Sequence, residues 1–166
     1  MPTDRFDLTP LFALQQELDE EIARNHDVSY ESTFPRRLLA LLVELGEFAN
    51  ETRCFKYWSN KGPSPKEVIL EEYVDGLHFL LSLGIPLGVR THRHEVKARE
   101  KDLTDALLHI YEGASLLRND YRIDSYLALL DEYLDILPLF GSNAQEAEAS
   151  YRKKMDENHS RQRNNY

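Results

Sequence analysis

Two pairs of acidic residues carry the chemistry that this sequence suggests. Glu44 and Glu47 form the first pair and Glu72 and Asp75 the second, each with its acids three residues apart in a leucine-rich helical pattern. At 3.6 residues per turn, this spacing places both acids of a pair on one face of a helix. Carboxylates crowded together repel one another unless they share cations. Oxygen ligands suit Mg²⁺, or Mn²⁺ as its substitute, so we predict a metal site between two helices.

An ordinary solvated surface is the alternative interpretation of these four acids. Acids on a helix surface commonly pair with a lysine or arginine one turn later. The residues found four positions after them are instead Phe48, Glu51, Gly76 and Phe79. Unpaired like charges on two helices therefore favour the metal interpretation.

The elements that would position these acids are helices. Glycine and proline are scarce, and they separate segments whose apolar residues recur at spacings of three and four, which is typical of amphipathic helices. We therefore predict an all-α helical bundle without a strand of useful length. Its six main helices span residues 8–25, 35–55, 65–83, 98–118, 121–137 and 143–162. We expect residues 1–166 to form a single domain, in which residues 85–97 are an exposed connector.

The composition limits the classes of partner. The 166 residues carry a net charge of -9, so we expect no binding to nucleic acid or to an anionic membrane surface. Cys54 is the only cysteine, which excludes an intrachain disulfide. No apolar run approaches the length of a membrane span, and Met1-Pro-Thr-Asp lacks the basic start of a signal peptide. We expect a cytoplasmic protein that binds phosphate groups through a metal or a local basic patch.

Three further segments hold residues that could contact a ligand. Gln15 and Asp19 interrupt the apolar stripe of the first helix, where they either hydrogen-bond to neighbouring helices or recognise a polar ring. Trp58 lies close to Lys56 in the sequence and either packs against apolar side chains or stacks on a base. In the last helix one face is polar and basic, so it is either solvated or suited to a polyphosphate. That face holds Tyr151, Lys154, Asn158, Arg161 and Gln162.

Several motifs together match a known family. They are Glu44-x-x-Glu47 and Glu72-x-x-Asp75 with 24 residues between the pairs, Cys54-Phe-Lys-Tyr-Trp-Ser59, Asp75-Gly-Leu-His-Phe79 and Lys154-x-x-x-Asn158-x-x-Arg161-Gln162-x-x-x-Tyr166. With these motifs the chain resembles the dimeric dUTPases, which belong to the all-α nucleoside triphosphate pyrophosphohydrolases. The resemblance implies a homodimer that hydrolyses dUTP, and also dUDP, to dUMP with Mg²⁺.

The resemblance also implies a role for individual residues. Glu44, Glu47, Glu72 and Asp75 would bind the metal, with Glu47 as the base that activates the attacking water. The residues that contact uracil and sugar would be Gln15, Asp19, Trp58, His78 and Phe79. The residues that contact the phosphates would be Lys56, Lys154, Asn158, Arg161 and Tyr166. Asp19 stands where many relatives have asparagine, and Asn165 where many have glycine.

Three alternatives stay open at this point. A related pyrophosphohydrolase that acts on another nucleotide, such as dCTP, predicts the same metal site. A di-iron carboxylate bundle uses Glu-x-x-His pairs, which this chain imitates only with Asp75-x-x-His78 and Asp156-x-x-His159. An interaction protein is the third alternative, because some phage-encoded relatives bind repressors, and a repressor would then be the partner.

Overall fold

The computed structural model describes residues 3–164, and the predictions for Asn165 and Tyr166 lie outside this range. The helices are α1 (Thr9–His26), α2 (Tyr30–Thr52), α3 (Lys66–Gly84), α4 (Leu103–Leu117), α5 (Ile123–Leu134) and α6 (Ala144–Arg163). The strands are β1 (Asp4–Asp7) and β2 (Arg93–Val96), and short 3-10 turns occur at Ile85–Leu87 and Leu137–Phe140. The prediction of an all-α bundle with six main helices is confirmed. Between residues 3 and 164, none of the helices combines the length and the apolarity needed to cross a membrane.

Helix α3 is the centre of the bundle. It packs against α1, α2, α5 and α6, and most of its residues from Ile69 to Gly84 are buried. A helix that is apolar on nearly all sides is expected in the interior of a bundle. The most extensive helix–helix contact joins α3 to α2. This contact brings the helix of Glu44 and Glu47 against that of Glu72 and Asp75.

Buried tyrosines join α3 to α5. The Tyr73 hydroxyl donates to the Tyr133 carbonyl over 2.9 Å, and the Tyr133 hydroxyl donates back to the Tyr73 carbonyl. Their rings stack with centroids 4.5 Å apart. A Cβ atom at Gly76 would overlap the Tyr133 hydroxyl. The close approach that Gly76 allows therefore brings Tyr133 of α5 against α3 directly beside Asp75.

Helix α2 begins earlier than the sequence predicts. Ser29 accepts a hydrogen bond from the Ser32 amide over 3.0 Å, and the Ser32 hydroxyl accepts one from the Ser29 amide over 3.0 Å. Such a capping box starts a helix, so α2 begins at Tyr30 and includes Pro35. Proline removes one backbone hydrogen bond in this position, whereas the capping box at Ser29 adds two hydrogen bonds at the start of the helix. The predicted start at residue 35 is wrong for this reason.

The prediction of an exposed connector without a strand at residues 85–97 is wrong in part. β2 pairs antiparallel with β1, so that Asp4 lies opposite Val96. Ile85, Val89 and Val96 are buried. Strands of four residues are too short to give an alternating pattern that could be recognised in the sequence.

Candidate active site

Helices α2 and α3 bring three of the four predicted metal-binding acids together. Glu44, Glu72 and Asp75 are half-buried, and one carboxylate oxygen from each lies within 4.8 Å of the others. Oε2 of Glu44 and Oε2 of Glu72 are buried without a hydrogen-bond partner. Buried acceptors without a partner are costly. This group of three acids, called the acid cluster below, therefore fits a cation that its oxygens share.

Glu47 lies beside the acid cluster rather than within it. Its side chain is exposed, and the group of oxygens within 4.8 Å does not include it. Its carboxylate is nevertheless within hydrogen-bonding reach of both Glu44 and Glu72. Of the four acids, Glu47 is thus the most accessible to water.

Burial and mutual repulsion keep protons on the acid cluster. Burial raises the pKa of Glu44 to about 8, and a hydrogen bond to Glu47 and the charge of Asp75 add to the effect. Burial raises the pKa of Glu72 to about 7, again with contributions from Glu47 and Asp75. A carboxyl group with such a pKa holds a proton that a divalent cation can replace.

Lys154 of α6 neutralises one edge of the acid cluster. Its Nζ atom lies 2.8 Å from Glu71 Oε1, 3.3 Å from Asp75 Oδ1 and 3.5 Å from Glu157 Oε2. Burial lowers the pKa of Lys154, but the hydrogen bond to Glu71 and the charges of Asp75 and Glu71 outweigh burial and raise it. Lys154 therefore stays charged beside the cluster, and Glu71, which had no role in the sequence prediction, helps to position it.

A cavity of about 510 Å³ adjoins the acid cluster, because Glu44 and Asp75 both line it. Its walls come from α1, α2, α3 and α6. Small-molecule sites have volumes of this order. The predicted substrate-binding residues in its lining are Gln15, Asp19, His78, Phe79, Asn158 and Arg161.

One wall of the cavity is a buried network of polar groups. Gln15 Oε1 lies 2.7 Å from His78 Nδ1, and Gln15 Nε2 donates to Asp19 Oδ1 over 3.0 Å. Burial lowers the pKa of His78 to about 3, and the charge of Lys154 lowers it further, so the ring is neutral at pH 7. His78 is 5% exposed, and its Nε2 atom is buried without a partner. Gln15 and Asp19 thus hydrogen-bond to the neighbouring helix α3, which is one of the two predicted interpretations. Both residues also line the cavity.

Three residues that the sequence analysis did not single out as binding residues support this wall. The hydroxyls of Ser82 and Tyr30 donate to Asp19 Oδ2 over 2.7 and 3.1 Å. Arg37 donates to the backbone carbonyls of Ser82 and Tyr30 over 3.0 and 2.6 Å. Ser82 lies on the face of α3 that carries Asp75, which was a usable signal. Tyr30 gave none, because it lies in the part of α2 that was predicted as a loop, and Arg37 gave none, because its partners Ser82 and Tyr30 are distant in sequence.

Trp58 and Lys56 do not line the cavity of their own chain. Both lie between α2 and α3, where Trp58 is 64% exposed and contacts the rings of Tyr57 and Phe55 edge-on. Lys56 Nζ lies 5.7 Å from the centre of the Phe55 ring. Their contact with substrate stays a prediction.

Comparison with known proteins agrees with these features. A family model described as dUTPase matches residues 7–166, which include all four acids and all the described residues of the cavity wall. No individual curated protein matches the chain significantly. The family confirms the predicted enzyme class, a dUTP diphosphatase. The chain belongs to the all-α dUTPase family.

Proposed function

We propose that this protein hydrolyses dUTP, and also dUDP, to dUMP in a reaction that depends on Mg²⁺. The observation that carries the proposal is the acid cluster beside a cavity with a buried polar wall. The cluster supports a site for the phosphates, and the wall supports a site for a base.

The residues of the cluster fit a magnesium ion. Glu44, Glu72 and Asp75 offer oxygen ligands only, and two of these oxygens are buried without a partner. Hard divalent cations prefer such ligands. When bound, Mg²⁺ would neutralise phosphate charge and lower the pKa of a coordinated water.

Glu47 is the residue that we propose as the general base. It is exposed and lies next to the cluster, so its carboxylate can take a proton from the attacking water. The water oxygen then forms a bond to phosphorus as the bond to the leaving phosphate oxygen breaks. Glutamine at this position keeps the shape but cannot take the proton.

The other residues would bind and orient the nucleotide. Asn158 and Arg161 line the cavity from α6. Lys154 is not part of the cavity lining but contacts Asp75 of the acid cluster, where a cation can hold phosphate oxygens. Phe79 lines the same cavity and would be the wall next to carbon 5 of uracil.

Two alternatives are less well supported. A dCTP-cleaving enzyme would need the same acid cluster, and only the choice of base separates it from a dUTPase. A di-iron site would need histidine ligands, but the acid cluster found among residues 3–164 contains none. His78 Nδ1 contacts Gln15, and His159 Nδ1 contacts Glu21 over 2.6 Å.

The test is release of pyrophosphate from dUTP compared with dTTP, dCTP and UTP, with and without Mg²⁺. We expect release from dUTP alone and only with Mg²⁺, and Glu47→Gln should abolish it while leaving the fold intact. Equal or faster release from dCTP would favour the alternative enzyme. Full activity of Glu47→Gln, or activity in EDTA, would count against the proposed mechanism.

We also propose a homodimer. Large apolar side chains are exposed on the adjacent helices α2 and α4, namely Leu39, Val43, Leu108 and Leu116. Such an exposed set is typical of an interaction surface. Light scattering should give twice the 19.4 kDa of one chain, and Leu116→Glu should shift the protein to monomer. A monomeric wild-type protein would contradict this part of the proposal.

A further inference from the structure

Two neighbouring acids of α3 have partners on different helices. Glu72 belongs to the acid cluster, which α3 shares with α2, whereas Glu71 forms an ion pair with Lys154 of α6. Asp75 follows Glu71 by about one helical turn, so these two acids lie on one face of α3. Asp75 takes part in both arrangements, because it is a member of the acid cluster and its Oδ1 atom lies 3.3 Å from Lys154 Nζ. A metal ion and Lys154 therefore compete for Asp75.

Lys154 is nearly enclosed between α3 and α6. Its side chain is 9% exposed, and its ammonium group donates a hydrogen bond to Glu71 Oε1 over 2.8 Å. Asp75 and Glu157 lie farther from the Nζ atom, at 3.3 and 3.5 Å. Lys154 and Glu71 line a groove of about 410 Å³ between the two helices, whereas Asp75 lines the cavity. Glu71 thus holds the ammonium group on the groove side of Asp75.

The position of this ammonium group matters for the charge of the acid cluster. Opposite charges attract strongly where water is largely excluded, so an ammonium group seated fully on Asp75 would neutralise it and repel a divalent cation. A short charge-assisted hydrogen bond to a second carboxylate competes with that move. Glu71 supplies this second carboxylate, and its own negative charge also favours a cation nearby.

We propose that Glu71 is a positioning residue that holds Lys154 back from Asp75 and so keeps the acid cluster open to the divalent metal. The inference rests on the proposed function for the identity of the cluster as a metal site. Glu71 is not itself a member of the group of oxygens within 4.8 Å that the structure forms among residues 3–164. Its effect on the metal is transmitted by Lys154.

Two other roles for Glu71 would have a different dependence on Lys154. If Glu71 were a metal ligand, or only a source of negative charge, its loss would weaken metal binding whether or not Lys154 is present. If Glu71 acts by holding Lys154, its loss weakens metal binding only while the ammonium group is there. A double-mutant cycle separates these cases.

The experiment is such a cycle on the Mn²⁺ affinity of the nucleotide-free protein, measured from the electron paramagnetic resonance signal of unbound Mn²⁺. Glu71→Gln should weaken Mn²⁺ binding about three- to tenfold, whereas Lys154→Met should tighten it. In the Lys154→Met background, Glu71→Gln should weaken binding no more than Glu67→Gln does.

Glu67→Gln is the matched control for the loss of one negative charge. Glu67 is an exposed acid one turn before Glu71 on α3 and lines the same groove. Within residues 3–164 it is not among the acids paired with Lys154. Because Glu67 and Glu71 are both exposed, neither substitution removes a buried side chain, and circular dichroism verifies that the variants are folded.

Steady-state kinetics give a second readout. Lys154→Met should raise the KM for dUTP although it binds Mn²⁺ more tightly, whereas a general loss of structure would weaken both. An equal loss of Mn²⁺ affinity from Glu71→Gln in both backgrounds would overturn the inference, and so would an effect of Glu71→Gln no larger than that of Glu67→Gln, or weaker Mn²⁺ binding by Lys154→Met. A wild type that binds no Mn²⁺ would contradict the acid cluster as the metal site, and the inference with it.

Discussion

Glu44→Gln should stabilise the metal-free protein and inactivate the enzyme. In the folded chain the Glu44 carboxyl lies among Glu47, Glu72 and Asp75, and burial raises its pKa from 4.5 to about 8. Each unit by which the pKa is raised corresponds to 1.36 kcal/mol, so ionising Glu44 fully in the folded protein would cost at most about 5 kcal/mol. Because the side chain is only half-buried, solvent screening reduces the expected gain from neutralising it to about 1–2 kcal/mol.

Urea denaturation followed by circular dichroism measures this gain in EDTA near neutral pH. When the urea denaturation is repeated with Mg²⁺ in place of EDTA, Mg²⁺ should stabilise the wild type, because ligand binding favours the folded state. It should stabilise Glu44→Gln much less. Glu17→Gln is a suitable control, since Glu17 is an exposed acid on α1, a helix that contributes no residue to the acid cluster. A Glu44→Gln variant that is less stable than the wild type in EDTA, or that keeps the full response to Mg²⁺, would refute the reasoning.

Three other perturbations have defined outcomes. Without metal, the free energy of unfolding should fall as the pH rises from about 5 to about 8, because the folded state binds the Glu44 proton more tightly than the unfolded state does. Urea denaturation in EDTA at several pH values measures this change, and a free energy of unfolding that rises over this range would contradict the prediction. Gly76→Ala should lower the free energy of unfolding by about 1–3 kcal/mol, since its Cβ would overlap the Tyr133 hydroxyl, whereas Gly62→Ala meets open space and should be near neutral. Arg161→Ala should raise the KM for dUTP about tenfold with less effect on kcat, because Arg161 lines the cavity; an unchanged KM in steady-state kinetics would remove its role in phosphate binding.

Local spacing was enough to predict that Glu44, Glu72 and Asp75 lie together, but it also placed Glu47 in their group, where the structure does not have it. The intervals of three residues between Glu44 and Glu47 and between Glu72 and Asp75 put each pair on one helix face, and the missing basic partners indicated that the two faces meet. Helix patterns also located all six helices, although α4 begins at Leu103 rather than at the predicted residue 98. The start of α2 was predicted too late, because Pro35 is a strong breaker signal and the cap at Ser29 is a weak one.

Contacts between segments that are distant in sequence could not be predicted from local spacing. The chain from Asp19 through Gln15 to His78 joins residues 63 positions apart in sequence, and the ion pair of Lys154 with Glu71 spans 83. Periodicity shows which face of a helix is buried but not which helix covers it. For the same reason, the exposed position of Trp58 outside the cavity of its own chain could not be foreseen.

We expect Glu44, Glu72 and Asp75, with Glu47 beside them, to hold the divalent metal that the reaction needs. Anomalous diffraction from crystals grown with Mn²⁺ and a non-hydrolysable dUTP analogue would locate this metal. Anomalous peaks should appear among these carboxylates, with the phosphates on the cluster and the base against His78. Peaks elsewhere, or nucleotide bound with these carboxylates free of metal, would contradict it.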